Sequence, residues 1–352
     1  MVTPPDKLRG TSNSHVWYIT LSMGHSLSPK PAPPVQQLSL FRTPVPWLTA
    51  FWKFSRPHTV IGTSLSVIGV FVVAWTTVQE ATATPLLNPF SLLLPLTACL
   101  AGNVYIVGLN QIEDVEIDRI NKPNLPIAAG EFSSKDAWVI VGFAGGLSIV
   151  LSALGGWFLL ATVLISLIIG TAYSAPPLRL KRFPFWASIC ILTVRGAVVN
   201  LGLFLHYADQ LGLPLRLPNK ILALAAFIVV FSIVIAIFKD IPDIEGDRRF
   251  NITTFTVRLG QKRVYTLARI ILTSCYVGMI AFAPWINGVN WTFLLITHGG
   301  LLVLFWWRSQ HVALPDQADT SIAPISFAAF YQFIWQLFFL EYVLYPVACL
   351  LS

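Results

Sequence analysis

The chain has 352 residues, of which 55% are apolar and only 11% charged, with a mean hydropathy of +0.69. Soluble chains carry about 25% charged residues, so this composition excludes a soluble fold, and its apolarity excludes disorder; repeated apolar runs of about 20 residues match a hydrocarbon layer of about 30 Å. The net charge of +7 reports topology and not nucleic-acid binding, because Lys and Arg gather on the cytoplasmic loops of membrane proteins.

Residues 1–45 are rich in Pro, Ser and Gln, with KPAPPVQQ as a sample, and read as a flexible tail. The tail is either a targeting segment or a stretch upstream of a start at Met23. Residues 46–352 read as one membrane-embedded domain. Apolar stretches of spanning length predict nine helices: Thr59–Val78, Ser91–Gln111, Ala137–Gly155, Trp157–Tyr173, Phe185–His206, Lys220–Phe238, Val264–Pro284, Trp291–Trp307 and Ser326–Leu351. With a cytoplasmic amino terminus, 20 of the 23 Lys and Arg fall on the cytoplasmic side, leaving Arg216 and Lys220 outside and Arg195 within a span. The expected fold is an all-α polytopic membrane bundle around a central cavity, capped on the cytoplasmic side by loops 2-3 and 6-7.

Acid is scarce, and half of it lies in two places. Of the 16 acidic residues, Glu113, Asp114, Glu116 and Asp118 form one cluster at the end of the second helix, and Asp240, Asp243, Glu245 and Asp247 another at the end of the sixth. In NQIEDVEID, Asn110, Asp114 and Asp118 recur at i, i+4 and share one helical stripe, with Asn103 near it. In KDIPDIEGD, Asp240, Asp243 and Asp247 recur at three and four, again one face if the backbone is helical, although Pro242 and Gly246 make that helix irregular. The two designs repeat in parallel about 130 residues apart. The cysteines, Cys99, Cys190, Cys275 and Cys349, stand far apart and read as apolar fillers.

Oxygen ligands that repel one another on one stripe need a cation between them, and an all-oxygen set favours Mg²⁺. Two facing stripes hold two such ions. Mg²⁺ completes its shell with substrate phosphate oxygens, so carboxylates beside basic loops point to a metal-bridged diphosphate. Arg119, Lys122, Arg179, Lys181, Lys239 and Arg248 are the bases placed to hold the remaining oxygens. One cluster alone reads equally well as a solvated loop; two matched clusters on the same side do not.

With its NxxxDxxxD and DxxDxxxD segments both complete, the chain resembles the UbiA-type superfamily of intramembrane prenyltransferases. Six blocks in order are similar to the homogentisate phytyltransferases of the cyanobacterial type: FWKFSRPHTVIGTSLSV, GNVYIVGLNQIEDVEIDRINKPNLPIAAGEFS, IIGTAYSAPPLRLKRF, ILTVRGAVVNLGLFL, AIFKDIPDIEGDRRF and YQFIWQLFFLEYVLYP. They run from Phe51 to near the C-terminus, leaving the tail outside the resemblance. The resemblance implies Mg²⁺ held by Asn110, Asp114, Asp118, Asp243 and Asp247, binding the diphosphate of phytyl diphosphate. It implies ionisation of the allylic C–O bond, alkylation of the homogentisate ring and loss of carbon dioxide. Glu116 stands where the family commonly has Asp, but off the metal stripe.

Arg195 is a functional candidate because it is charged within a span, and it serves either as support or as a substrate contact. Arg56, in SRPHT, matches the family block where a base faces the aromatic acid; otherwise it is an interfacial anchor. Tyr173 and Ser174 end the fourth helix beside the basic loop and can donate to diphosphate. Within the class, geranylgeranyl or solanesyl diphosphate, or a chlorophyllide acceptor, is the alternative. A cation-coupled transporter is a distant one, since it places carboxylates near the midplane in inverted repeats, whereas these sit at one surface in parallel ones.

Overall fold

In lipid every backbone amide must pair within its own segment, so long apolar runs become helices. The computed structural model of the chain describes residues 37–81, 90–242, 254–313 and 325–352. A short helix α1 (Pro44–Phe54) leads into α2 (Pro57–Ala81), then α3 (Phe90–Glu113), α4 (Val115–Asn121), α5 (Ser134–Leu154) and α6 (Trp157–Ser174). A single turn at Leu180–Arg182 precedes α7 (Pro184–Ile191), which continues through a π-helical stretch, Leu192–Val198, into α8 (Val199–Gln210). There follow α9 (Asn219–Lys239), α10 (Phe255–Leu259), α11 (Gln261–Phe282), α12 (Trp291–Ser309) and α13 (Phe327–Leu350). Two two-residue strands, Val312–Ala313 and Ile325–Ser326, pair in parallel just before α13.

Among the described residues every expected spanning helix has a counterpart, but eight, not nine, are long and apolar enough to cross a membrane. The helix that falls short is α12. It has 19 residues, yet it includes His298, Trp306, Trp307 and Arg308, which dilute its apolarity. A helix unforeseen in the sequence, α1, is too short to span. It buries Ala50 and Phe54 against Leu109, Phe132 and Val141 while exposing Val45, Leu48 and Trp52.

Neighbouring helices close a ring in the order α2, α3, α5, α6, α8, α9, α11, α12, α13 and back to α2. The ring is not open throughout, because α8 also packs directly against α2 across its middle. Large buried aromatics fill one side, where Phe231, Phe238, Tyr276, Phe330 and Phe338 are at most 2% exposed. The space between α2, α3, α6, α7 and α13 is left as a cavity of about 1050 Å³.

Candidate active site

The site begins where α3 ends. Asp114 leaves helical geometry (φ −113°, ψ 15°) between α3 and α4. The break does not shift the register: the Asp114 N–H donates to the Asn110 carbonyl at 3.1 Å, Asp118 to Asp114 at 2.7 Å and Lys122 to Asp118 at 2.7 Å. The Asn110, Asp114 and Asp118 side chains therefore keep their common stripe, and all three line the cavity. Asp118 is buried.

Bases arrive from the loop after α6. Arg179 adopts a left-handed backbone (φ 39°), a conformation that costs a branched-at-Cβ-free residue about 1 kcal/mol. From there its Nη2 donates to the Glu113 carbonyl at 2.9 Å and to Asp114 Oδ1 at 3.1 Å. Lys181 Nζ lies 2.7 Å from Asp114 Oδ2 and 3.4 Å from Asn110 Oδ1, which also accepts from Ser174 Oγ at 3.3 Å. Burial pushes the Lys181 ammonium below the usual lysine range, and the Asp114 carboxylate opposes that shift.

The sixth spanning helix brings the second group. α9 stops at Lys239, with Asp240 in the following turn, so the helical stripe expected from Asp240 onward is broken at its first residue. Pro242, two residues on, cannot donate an amide to continue it. Asp240 and Lys239 both line the cavity, and Lys239 Nζ donates to the Tyr173 hydroxyl at 3.3 Å while lying 3.8 Å from Asp240 Oδ1. Asp243, Asp247 and Arg248 lie outside the described residues. Among the described residues no three His, Cys, Asp or Glu side chains converge.

Other expected residues divide cleanly. Lys122, Tyr173, Ser174, Arg56, Asn103 and Arg195 line the cavity. Arg119 does not: it is exposed, and its Nη1 donates to Glu116 Oε1 at 2.7 Å. Arg56 is the other non-glycine residue with positive φ (53°) among those described, at the turn between α1 and α2. That turn is tied to α3 by Asn103 Nδ2, which donates to the Ser55 carbonyl at 3.4 Å, and by Gln111 Nε2, which donates to the Phe54 carbonyl at 2.7 Å. Gly108 permits the approach, since a Cβ there would sit 2.7 Å from the Phe54 ring.

Arg195 sits in the π-helical stretch. One extra residue per turn frees carbonyls, and Asn200 Nδ2 takes up those of Arg195 (3.0 Å) and Gly196 (2.8 Å). The Tyr342 hydroxyl donates to Asn200 Oδ1 at 3.0 Å. The guanidinium lies over Trp335, 5.0 Å from the ring centre, and 5.6 Å from that of Phe338. Sequence reading missed Gln111, Trp335, Phe338 and Tyr342; only the family block at YQFIWQLFFLEYVLYP pointed to the last three. His298 of α12 lies 3.0 Å from Glu341 of α13, both side chains fully buried. Cys99 and Cys190 line the cavity, whereas Cys275 and Cys349 are buried.

The arrangement is thus a polar mouth of oxygen ligands and bases above an apolar chamber with a cation against aromatic rings. Residues 58–340 match the UbiA prenyltransferase family. Over 306 residues the chain is 52% identical to the homogentisate phytyltransferase of Synechocystis sp., covering 86% of this chain and 96% of that protein. It is 41% identical over 308 residues to homogentisate phytyltransferase 1, chloroplastic, of Arabidopsis thaliana, covering 85% and 75% respectively. A UbiA homolog from Archaeoglobus fulgidus, solved bound to GPP and Mg²⁺, superposes with a TM-score of 0.57 over 85% of this chain and 99% of that one. At 18% identity that likeness shows the fold alone.

Proposed function

The chain belongs to the UbiA prenyltransferase family, and from that premise we propose that it transfers the phytyl group of phytyl diphosphate to homogentisate with loss of carbon dioxide. The product is 2-methyl-6-phytyl-1,4-benzoquinol, on the way to tocopherols. The observation that carries this reading is the joining, in one cavity, of the Asn110, Asp114 and Asp118 stripe to an apolar chamber, in a chain 52% identical to a homogentisate phytyltransferase.

A divalent cation fits the donor set. Asn110, Asp114 and Asp118 present hard oxygens, and an ammonium, that of Lys181, already spans Asn110 and Asp114. Asp240, with Asp243 and Asp247, supplies the second set, for two Mg²⁺ in all. Bound there, Mg²⁺ neutralises the diphosphate and makes it a better leaving group. Arg179, Lys181, Lys122 and Lys239 hold phosphate oxygens, with Arg119 and Arg248 as further bases for them, and the Tyr173 and Ser174 hydroxyls donate to them. The allylic C–O bond breaks with its electron pair leaving on the diphosphate. A ring carbon of homogentisate bonds to the cation and gives up its proton, and the acetate side chain loses carbon dioxide and takes up a proton to become the ring methyl. Arg56 and Arg195 hold the acceptor carboxylate, Asn103 keeps the Arg56 turn in place, and Trp335 and Phe338 give the cation an aromatic wall and exclude water.

The charge asymmetry supports a mouth on the cytoplasmic face, in the plasma or thylakoid membrane of a photosynthetic bacterium. Incubating the purified protein in lipid with homogentisate and phytyl diphosphate tests the reading. The expected product is the phytylated benzoquinol, and its absence with every prenyl diphosphate would refute it.

A further inference from the structure

The cavity has a depth as well as a mouth. Its lining descends α3 from Asn110 to Cys99 and α6 from Ser174 to Thr162, and on α2 it reaches Ser66. At 1.5 Å per residue these descents are about 17 Å and about 18 Å. Below that level the helices close on one another. The Tyr207 hydroxyl of α8 donates to the Val67 carbonyl of α2 at 3.5 Å, Gly202 of α8 is so near Thr162 that a Cβ would overlap its hydroxyl, and Val67, Leu159, Leu203 and Tyr207 are fully buried.

We infer that Cys99, Ser66 and Thr162 form a floor that limits the length of the donor chain to about twenty carbons. The inference rests on the prenyl-transfer reading above and adds which residues measure the chain. A C20 prenyl group has about sixteen backbone carbons, which at about 1.5 Å per bond, zigzagged, extend roughly 20 Å. With a bend or two it fills the descent from the diphosphate mouth to Cys99. A C10 group reaches only about halfway. A C45 group extends roughly 45 Å by the same reckoning. That is more than twice either descent. Cys99 is the central element because its side chain faces the bottom of the chamber from the helix that carries the metal stripe. A larger side chain there shortens the chamber from below and leaves the mouth as it is.

The test compares donors on the same molecules. Full-length protein in lipid nanodiscs is given homogentisate with geranyl, phytyl or solanesyl diphosphate, and kcat/KM is measured for each. The wild type is expected to favour the C20 donor over the C45 donor, and Cys99→Phe to lower the C20-to-C10 ratio about tenfold, the scale on which a pocket rejects a few excess methylenes. Because the ratio is internal to one preparation, partial misfolding does not imitate the effect. If Cys99→Phe yields no folded protein, the ratio in Ser66→Leu decides in the same sense. A C20-to-C10 ratio that stays within about threefold of wild type in the folded variant, or a wild type that uses the C45 donor as well as the C20, overturns the floor. A wild type that gives no prenylated product with any of the three donors overturns instead the functional reading on which it rests.

Discussion

Lys181 and Asp114 meet at 2.7 Å with side chains only 11% and 13% exposed, and the same ammonium reaches Asn110. An ion pair so nearly out of water compensates two charges that would otherwise be stranded. The lysine comes from the loop after α6 and the aspartate from the end of α3, so this contact fastens two loops over the cavity as well as balancing charge.

Replacing Lys181 with Met should cost about 2 kcal/mol of stability in metal-free buffer, since it leaves Asp114 with Arg179 alone. Added Mg²⁺ should recover much of that loss, because an ion that binds only the folded state stabilises it. Thermal unfolding in detergent with and without MgCl₂ reads both. An equal loss in the two buffers would mean that no divalent ion binds beside Asp114.

Arg195→Lys keeps the charge but loses the planar fork that lies over Trp335. The expected outcome is a rise of about tenfold in KM for homogentisate, about 1.4 kcal/mol, with KM for phytyl diphosphate little changed. Steady-state kinetics with each substrate varied in turn distinguishes this from a general loss of fold, which would lower the amount of active enzyme and leave both KM values alone.

Much of this site was visible in the residue spacing. The Asn110, Asp114 and Asp118 stripe was legible because i, i+4 contacts depend on local geometry alone, and the helix hydrogen bonds survive the break at Asp114. The pairing of Arg179 with Asp114 was legible only as a shared membrane face, since the two are 65 residues apart and the contact depends on how α6 leans on α3. The π-helical turn at Arg195 left no sign, because one added residue in an apolar run changes neither its length nor its composition appreciably. α1 was hidden for a related reason: eleven residues are too few to span, and its Ala50 and Phe54 face is buried only because α3 and α5 cover it.

Gln111→Ala should destabilise the protein by about 1–2 kcal/mol, because it strands the Phe54 carbonyl that Gln111 Nε2 holds at 2.7 Å. The same change loosens the turn bearing Arg56, so acceptor KM should rise as well. A normal unfolding temperature together with normal acceptor KM would contradict the link from α3 to that turn.

The buried His298 and Glu341 side chains, 3.0 Å apart between α12 and α13, carry a prediction about fold and not chemistry. Glu341→Leu alone should cost about 3 kcal/mol, whereas the double change with His298→Phe should cost markedly less, since neither polar group is then left alone. A double-mutant cycle of unfolding midpoints gives the coupling; additivity of the two single losses would show that the pair does not interact.

The most direct measurement of the central claim is product formation from homogentisate and phytyl diphosphate by purified protein in lipid, for wild type, Asp114→Ala and Asp243→Ala, each with Mg²⁺ and with EDTA. The account predicts 2-methyl-6-phytyl-1,4-benzoquinol from the wild type with Mg²⁺ only, and a loss of at least about a hundredfold in either variant, the scale expected when a group stabilising the leaving charge is removed. Turnover retained in both variants, or undiminished by EDTA, would contradict it.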